Sequence, residues 1–115
     1  MPDKNGYPTE LEIRKFKRLC KFDFFQQENI DYFLDYLSDI WWMADWGFKK
    51  YWGFETFPKR KKVLKVELHC AGWSGNEEII GILIPSNFWI LFWEKSIRGG
   101  HYYFEIPYRK AKDEP

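Results

Sequence analysis

Cysteine is scarce in this sequence of 115 residues, which contains only Cys20 and Cys70. Two cysteines are too few for a disulfide framework, and neither lies in a CxxC motif or at Cys/His ligand spacing. We therefore expect both thiols to be small buried apolar groups, in a protein of the reducing cytoplasm.

Long hydrophobic runs are also missing. The first twenty residues contain neither an apolar core nor a small-residue cleavage site, so we expect no signal peptide. The longest apolar stretch, Ile79–Trp93, has fifteen residues and is interrupted by Gly81, Pro85, Ser86 and Asn87. A helix that spans a bilayer needs about 20 apolar residues, so we expect no membrane partner.

Common catalytic motifs are absent, since the sequence contains no GxxxxGK[ST], HExxH, GxSxG or GxGxxG. His69 and Cys70 are adjacent, and adjacent strand residues point to opposite faces, so they cannot form a thiol–imidazole pair. Two histidines with distant carboxylates are a weak set of zinc ligands. We expect a protein that is not an enzyme and has neither metal nor cofactor. The alternative is acid–base catalysis by His69 or His101, with Arg98 holding an anion.

Aromatic residues, in contrast, are abundant: the chain has 7 Trp, 7 Tyr and 11 Phe. Its 45% apolar and 30% charged residues are ordinary for a globular protein, which excludes a disordered or collagen-like chain. The length predicts a single domain covering residues 1–115. A core of this size cannot easily bury so many rings, so we expect some of them at the surface.

The charges sum to only +1, but they are sorted along the chain. Residues 14–21 are basic, residues 22–48 carry six acids and no cation, and residues 49–65 are basic again. Oppositely charged segments that pack against each other would explain this pattern. The alternative is a basic surface for an acidic protein or a phosphate backbone, centred on a turn with four consecutive cations, Lys59, Arg60, Lys61 and Lys62.

Apolar spacing predicts two helices in the N-terminal part, about residues 9–45. The first covers residues 10–21, after Thr9, with Glu10 and Glu12 in its first turn. The second covers residues 28–45, where apolar residues follow a 3.6-residue period. Asp31, Asp35 and Asp39 share its solvent face, so we expect a basic segment nearby, either the first helix or residues 59–62.

The C-terminal part, about residues 51–107, reads as strand, strand, helix, strand, strand. Strands are predicted at 51–57, 63–70, 87–94 and 101–106, with a hairpin turn between the first two and another at Gly99 and Gly100. Ser74 and Glu77 form a capping box that opens the helix, and Pro85 ends it. The predicted class is α+β: N-terminal helices packed on a small mixed sheet of three or four strands, with a βαββ C-terminal half.

This topology predicts a shared rim. The crossover between residues 70 and 87 is long enough to make its two flanking strands parallel, with the last strand returning antiparallel. The end of one strand, the helix N-terminus and the last turn then meet at one sheet edge, where a ligand or an anion can bind. The predicted binding residues are His69, Trp73, Ser74, Gly75, Asn76, Arg98, Gly99, Gly100 and His101. The alternative is purely structural: a helix cap, a turn, and Arg98 paired with Glu77 or Glu78.

Ring-rich strands favour a binding function. Phe88, Trp89, Phe92 and Trp93 are predicted to place rings on both sheet faces, and the helices can cover only one of them. An exposed aromatic face fits a protein partner, and it also fits single-stranded nucleic acid as a stacking platform. The nearly neutral net charge favours the protein partner over nucleic acid, and a homodimer is a third alternative.

Three segments carry a resemblance to a known group of proteins. Residues 73–80 read WSGNEEII, residues 88–89 read FW, and residues 98–106 read RGGHYYFEI. Residues 63–107 resemble small uncharacterised accessory proteins of phages and prophages. The resemblance transfers no activity and no catalytic residue. It implies a mobile-element protein that acts by binding a host protein.

Overall fold

In the computed structural model, which describes residues 2–57, 61–70 and 72–107, helices cover one face of a four-stranded sheet. The described residues confirm the α+β class. The helices are α1 (Glu10–Leu19), α2 (Gln27–Ile40), α3 (Ala44–Gly47), α4 (Ser74–Leu83) and α5 (Asn87–Phe92), and the strands are β1 (Phe48–Phe54), β2 (Lys62–His69), β3 (Trp93–Ile97) and β4 (His101–Pro107).

The sheet has the strand order β1-β2-β4-β3, and each neighbouring pair is antiparallel. The prediction of a mixed sheet is therefore wrong for the described strands. Because β2 and β3 are both antiparallel to β4, they run in the same direction, as the crossover predicted. They are not neighbours, however, since β4 lies between them.

The first helix confirms its prediction, with an end two residues earlier. The Thr9 hydroxyl accepts from the Glu12 N–H at 3.2 Å, and the Glu12 carboxylate accepts from the Thr9 N–H at 2.8 Å. This reciprocal pair satisfies two amide groups that a helix start leaves unpaired.

The second helix ends at Ile40 and not at Asp45 as predicted. Trp41 adopts an extended conformation, and its indole is 2% exposed. The Trp42 backbone then bonds to the Asn76 side chain, which replaces its helical partners. An interaction across 34 residues ends this helix, and local periodicity cannot reveal it.

The acidic face of α2 does contact a cation, but from an unexpected element. Lys50 of β1 lies 3.9 Å from Asp35, measured from Nζ to Oδ1. Both side chains are largely exposed, so this pair contributes little stability.

Two predictions after residue 70 are wrong. Trp73, not Ser74, is the N-cap of α4, and no side chain caps that helix, so the Ser74–Glu77 capping box does not form. Residues 87–94, predicted as a strand, contain α5. The Ser86 hydroxyl caps this helix by accepting from the Trp89 N–H at 3.2 Å, and Phe88 and Phe92 both face the core. A short apolar run is compatible with either a strand or a helix, and the Ser86 cap favours the helix.

The core lies between the helices and the sheet. Its centre is a cluster of five rings, each at most 1% exposed, with neighbouring centroids 4.9 to 5.6 Å apart. We call this cluster the phenylalanine core; its members are Phe16, Phe24, Phe33, Phe88 and Phe104. The opposite sheet face carries the alternate residues of β2 and β4, which are mostly polar. The rings on this face are Tyr51 and Tyr103, and the other exposed strand rings, Trp52, Phe54 and Trp93, lie on the two edge strands β1 and β3.

Candidate functional site

Three tryptophans surround a cavity of about 380 Å³ where β2 ends and α4 begins. A volume of this size is typical of pockets that enclose a ligand group. We call it the tryptophan cavity; it is lined by Trp42, Met43, Trp46, His69, Cys70, Trp73 and Asn76.

Asn76 fixes the backbone of the first of these tryptophans, Trp42. Its side chain is 2% exposed, its Oδ1 accepts from the Trp42 N–H at 2.9 Å, and its Nδ2 donates to the Trp42 carbonyl at 3.1 Å. The amide thereby satisfies both backbone groups of a residue that has left α2. Two hydrogen bonds hold the Trp42 backbone. The Asn76 side-chain amide that makes them is therefore not available to a ligand.

The N-terminal segment fixes the second indole. The indole N–H of Trp73 donates to the Gly6 carbonyl at 3.1 Å. The Trp73 ring stacks on the Trp42 ring, with centroids 5.8 Å apart. Gly6 has φ +84°, and a side chain at this position would collide with both indoles. Only glycine combines this left-handed backbone with so close an approach.

The third indole belongs to α3. Met43 precedes this helix with φ 60° and ψ 45°, a left-handed conformation that costs a non-glycine residue about 1–2 kcal/mol. At the other end, Gly47 packs so close to β2 that an added Cβ would lie 2.7 Å from the His69 carbonyl. This packing puts the Trp46 ring 5.9 Å from the His69 ring.

The cavity opens to solvent through its apolar groups. Met43 is 61% exposed, Trp46 50% and Trp73 38%. These three side chains line one cavity, so their exposed apolar surface is contiguous, as at a binding site. Strain at Met43 adds to this argument, since strained backbone concentrates at functional sites.

A second cavity of about 350 Å³ adjoins the first and shares Trp42, Met43 and Trp46 with it. Asp39 and Asp45, both exposed, belong to its lining, so we call it the acidic groove. Neither lining contains a lysine or an arginine among the described residues. The combined surface is therefore aromatic with a negative margin.

His69 also belongs to a hydrogen-bonded chain on the polar sheet face. Its Nε2 lies 3.0 Å from a Glu67 oxygen, and its Nδ1 lies 2.7 Å from the Nδ1 of His101. The Tyr51 hydroxyl donates to the other Glu67 oxygen. We call these four residues the polar chain.

The polar chain restricts where its hydrogens lie. A carboxylate only accepts, so His69 Nε2 carries a hydrogen that it donates to Glu67. Only one hydrogen fits between the two Nδ1 atoms, so one imidazole donates there and the other accepts.

Both ends of the Tyr51–Glu67 hydrogen bond have shifted pKa values. The bond to the carboxylate, with a smaller effect of burial, raises the pKa of Tyr51 to about 12. Burial acts to raise the pKa of Glu67, but the hydrogen bonds from Tyr51 and His69 together outweigh it, so the pKa lies below its usual value. Glu67 is therefore ionised at neutral pH, as the polar chain requires.

The cysteines behave as buried thiols. Burial raises the pKa of Cys20 to about 12, and burial together with the charge of Glu77 raises that of Cys70 to about 11. Both are unpaired, and they stay protonated and unreactive at neutral pH. Within the described part of the chain, no group of three or more His, Cys, Asp or Glu is arranged to hold a metal ion.

The structure brings part of the predicted rim together. His69 and His101 are in contact, and the Gly100 carbonyl accepts from the Cys70 N–H at 2.8 Å. Gly99 and Gly100 have positive φ, as a tight turn requires, and Gly99 lies beside the His101 ring. These residues lie at the His69–His101 end of the polar chain.

The other predicted rim residues do not lie together at one site. Trp73 and Asn76 line the tryptophan cavity, whereas Gly75 is buried beneath the Gly6 carbonyl. Ser74 is exposed at the start of α4. Arg98 is exposed and forms no hydrogen bond or ion pair with any residue that the structure describes, so the proposed pairing with Glu77 or Glu78 is not observed.

Two of the four residues of the predicted basic turn lie in the part of the chain that the structure describes. Lys61 and Lys62 are exposed, and the Lys62 ammonium lies 5.4 Å from the centroid of the Trp52 ring. Lys59 and Arg60 lie outside the described residues.

Sequence reasoning missed Trp42, Met43 and Trp46. Trp42 and Met43 were assigned to the second helix, and Trp46 to a ring-rich stretch that follows it. The available signal was the clustering of three tryptophans within residues 41–46, which is more indole than one helix face can bury. Gly6 had a weaker signal, as a glycine three residues after an aspartate.

The comparisons with known proteins give no match: no family model, no curated protein and no solved structure is similar to this chain. Within the described residues, no helix has the length and apolar character needed to cross a bilayer.

Proposed function

We propose that this protein is a non-enzymatic binding domain, and that its partner is a protein whose positively charged segment inserts one side chain into the tryptophan cavity. The observation that carries this proposal is the cavity itself, in which Trp73 is held by an indole hydrogen bond, Trp42 by its backbone and by stacking, and Trp46 by packing of α3, while Trp46 and Trp73 stay 50% and 38% exposed. Rings fixed in this way lose little conformational freedom on binding, which is why tryptophan dominates interface energetics.

Charge defines the partner more closely. Asp39 and Asp45 lie at the acidic groove, and no described lining residue there is cationic. A basic segment of the partner would complement this margin. The resemblance of residues 63–107 to phage accessory proteins makes a host protein the partner class that we propose, and the two unpaired buried thiols support a cytoplasmic location.

The alternative is binding of a nucleic acid or a phosphate through His69, Trp73, Arg98, His101 and the basic turn. It has less support, because the Trp73 N–H is already bonded to Gly6 and the N-terminal segment lies over the start of α4. The nearby acids would also repel a phosphate.

The test is affinity capture from host lysate, with and without nuclease, using the wild-type protein and two variants. Trp46→Ala removes a cavity ring, and Trp93→Ala is the matched control because Trp93 is 46% exposed at the other edge of the sheet. We expect one identified protein to be retained by the wild type and by Trp93→Ala and lost by Trp46→Ala.

The purified partner then provides the quantitative test by calorimetry. A central tryptophan contributes at least about 2 kcal/mol, so Trp46→Ala should weaken the affinity by about thirtyfold or more. Equal affinity of wild type and Trp46→Ala contradicts the proposal. Retention that disappears with nuclease supports the nucleic-acid alternative instead.

A further inference from the structure

The side-chain acceptors that line the tryptophan cavity are already engaged, and the indole N–H groups there can only donate. Asn76 is bonded to the Trp42 backbone, both nitrogens of His69 are bonded within the polar chain, and the Trp73 N–H is bonded to Gly6. A buried donor without a partner costs about 1–3 kcal/mol. The cavity therefore favours an occupant that has no hydrogen-bond donors to satisfy.

The electrostatics favour a positive occupant. Asp39 and Asp45 lie at the acidic groove, and the charge of Glu77 reaches the cavity wall, where it contributes to the raised pKa of Cys70. No lysine or arginine among the described residues lines either cavity. A neutral occupant would gain nothing from this negative field.

Indole faces bind cations directly. The negative face of a tryptophan attracts a cation within about 6 Å of the ring centroid more strongly than any other side-chain ring does. The Trp46 ring borders the cavity beside His69, and the stacked pair Trp42 and Trp73 forms another part of the wall. Met43 adds a polarisable thioether at the mouth.

The kind of cation follows from its hydrogen-bond donors. An arginine guanidinium carries five N–H donors and a lysine ammonium three, and the engaged polar groups of the cavity offer them no strong side-chain acceptor. A quaternary ammonium carries none. We propose, on the basis of the proposed function, that the tryptophan cavity recognises a quaternary ammonium group, and that its occupant is a trimethylated lysine of the partner protein.

The test compares three small compounds: N-acetyl-trimethyllysine methylamide, the same compound with carbon in place of the quaternary nitrogen, and the unmodified lysine compound. The first two have the same shape and differ in charge. Tryptophan fluorescence and calorimetry measure binding to the full chain. We expect the trimethyllysine compound to bind about tenfold more tightly than its uncharged analogue, and unmodified lysine to bind more weakly than trimethyllysine.

Two variants test the residues. Trp46→Leu keeps an apolar side chain and removes the ring face, so it should abolish the preference for the charged compound, whereas Trp93→Leu should leave it unchanged. Asp45→Asn removes one exposed charge of the acidic groove without touching the cavity rings. It should weaken trimethyllysine binding by about two- to threefold and leave the uncharged analogue unaffected. This variant keeps the test valid if Trp46→Leu fails to fold.

The outcomes separate this inference from the proposed function. Equal binding of the charged and uncharged compounds, or of lysine and trimethyllysine, overturns the inference and leaves an apolar anchor for the same cavity. Absence of binding by all three compounds also overturns it. In either case, loss of the captured partner by Trp46→Ala still supports the proposed function.

Discussion

The protein holds its aromatic rings in two different ways. In the phenylalanine core, five rings pack against one another with at most 1% exposure and need no polar partner. In the tryptophan cavity, Asn76 bonds the Trp42 backbone and the Gly6 carbonyl accepts from the Trp73 indole, while Trp46 and Trp73 remain 50% and 38% exposed. Rings that contribute stability are positioned by contact with other rings. The tryptophans are positioned by the backbone and by an amide, which leaves ring surface open for a partner.

The largest expected effect is in the phenylalanine core. Phe33 is fully buried and contacts Phe16, Phe24 and Phe88. Phe33→Ala should lower the free energy of unfolding by about 3–5 kcal/mol, because it leaves a cavity among rings that cannot collapse. Urea unfolding measures this loss. A change below about 1 kcal/mol would mean that this cluster is not the main source of stability.

Asn76→Ala tests how the tryptophan cavity is held. It leaves the Trp42 N–H and carbonyl without their partner, at a cost of about 2–3 kcal/mol in unfolding free energy. Near-UV circular dichroism should show a loss of the tryptophan signal, unlike in a core variant of equal stability. If the spectrum is unchanged, Asn76 does not position the indole.

Met43→Gly should raise the free energy of unfolding, whereas the two preceding variants lower it. Glycine adopts the left-handed conformation of residue 43 without strain, so we expect the free energy of unfolding to rise by about 0.5–1 kcal/mol. Affinity for the partner should fall, because the thioether at the cavity mouth is removed. A variant that is more stable and binds equally well would show that the strain serves no function.

The smallest effect is a pH dependence confined to the polar sheet face. The pKa values of Glu67 and Glu105 lie below their ordinary value, since burial, which acts to raise them, is outweighed by hydrogen bonds and nearby charges together. A lowered folded pKa gives stability that is present above the unfolded value of about 4.5 and is lost as pH falls through the folded pKa.

We therefore expect Glu67→Gln to reduce the loss of stability between about pH 4.5 and pH 3, measured by urea midpoints, while Phe33→Ala leaves the slope of that loss unchanged. A steeper acid loss in Glu67→Gln would reverse the sign and contradict the stated cause of the shift.

Local sequence patterns predict much of the fold. The periods of α1, α2, β2 and β4, and the glycines of the last turn, depend on neighbours a few residues away. Two predictions, the end of α2 at residue 45 and the strand at 87–94, are wrong for different reasons. Asn76 ends α2 from 34 residues away, whereas α5 forms because one serine hydroxyl caps an apolar run of ambiguous period.

The site was predictable only where topology sufficed. His69, His101 and Gly100 come together because β4 is the antiparallel neighbour of β2, which places the end of β2 opposite the glycine turn that precedes β4. The cavity depends instead on a break in a helix and on the N-terminal turn under Trp73. Neither has a repeating pattern, so the positions of Trp42 and Trp46 required the three-dimensional structure.

The imidazole contact makes His69 a spectroscopic reporter of the cavity. Its ring lines the tryptophan cavity 5.9 Å from the Trp46 ring, and its two nitrogens are bonded to Glu67 and His101. Any molecule that enters and shifts this ring must change which nitrogen carries the shared hydrogen or lengthen that contact. Nitrogen-15 spectra of two histidines are therefore enough to follow occupancy of the cavity, without a label on the partner.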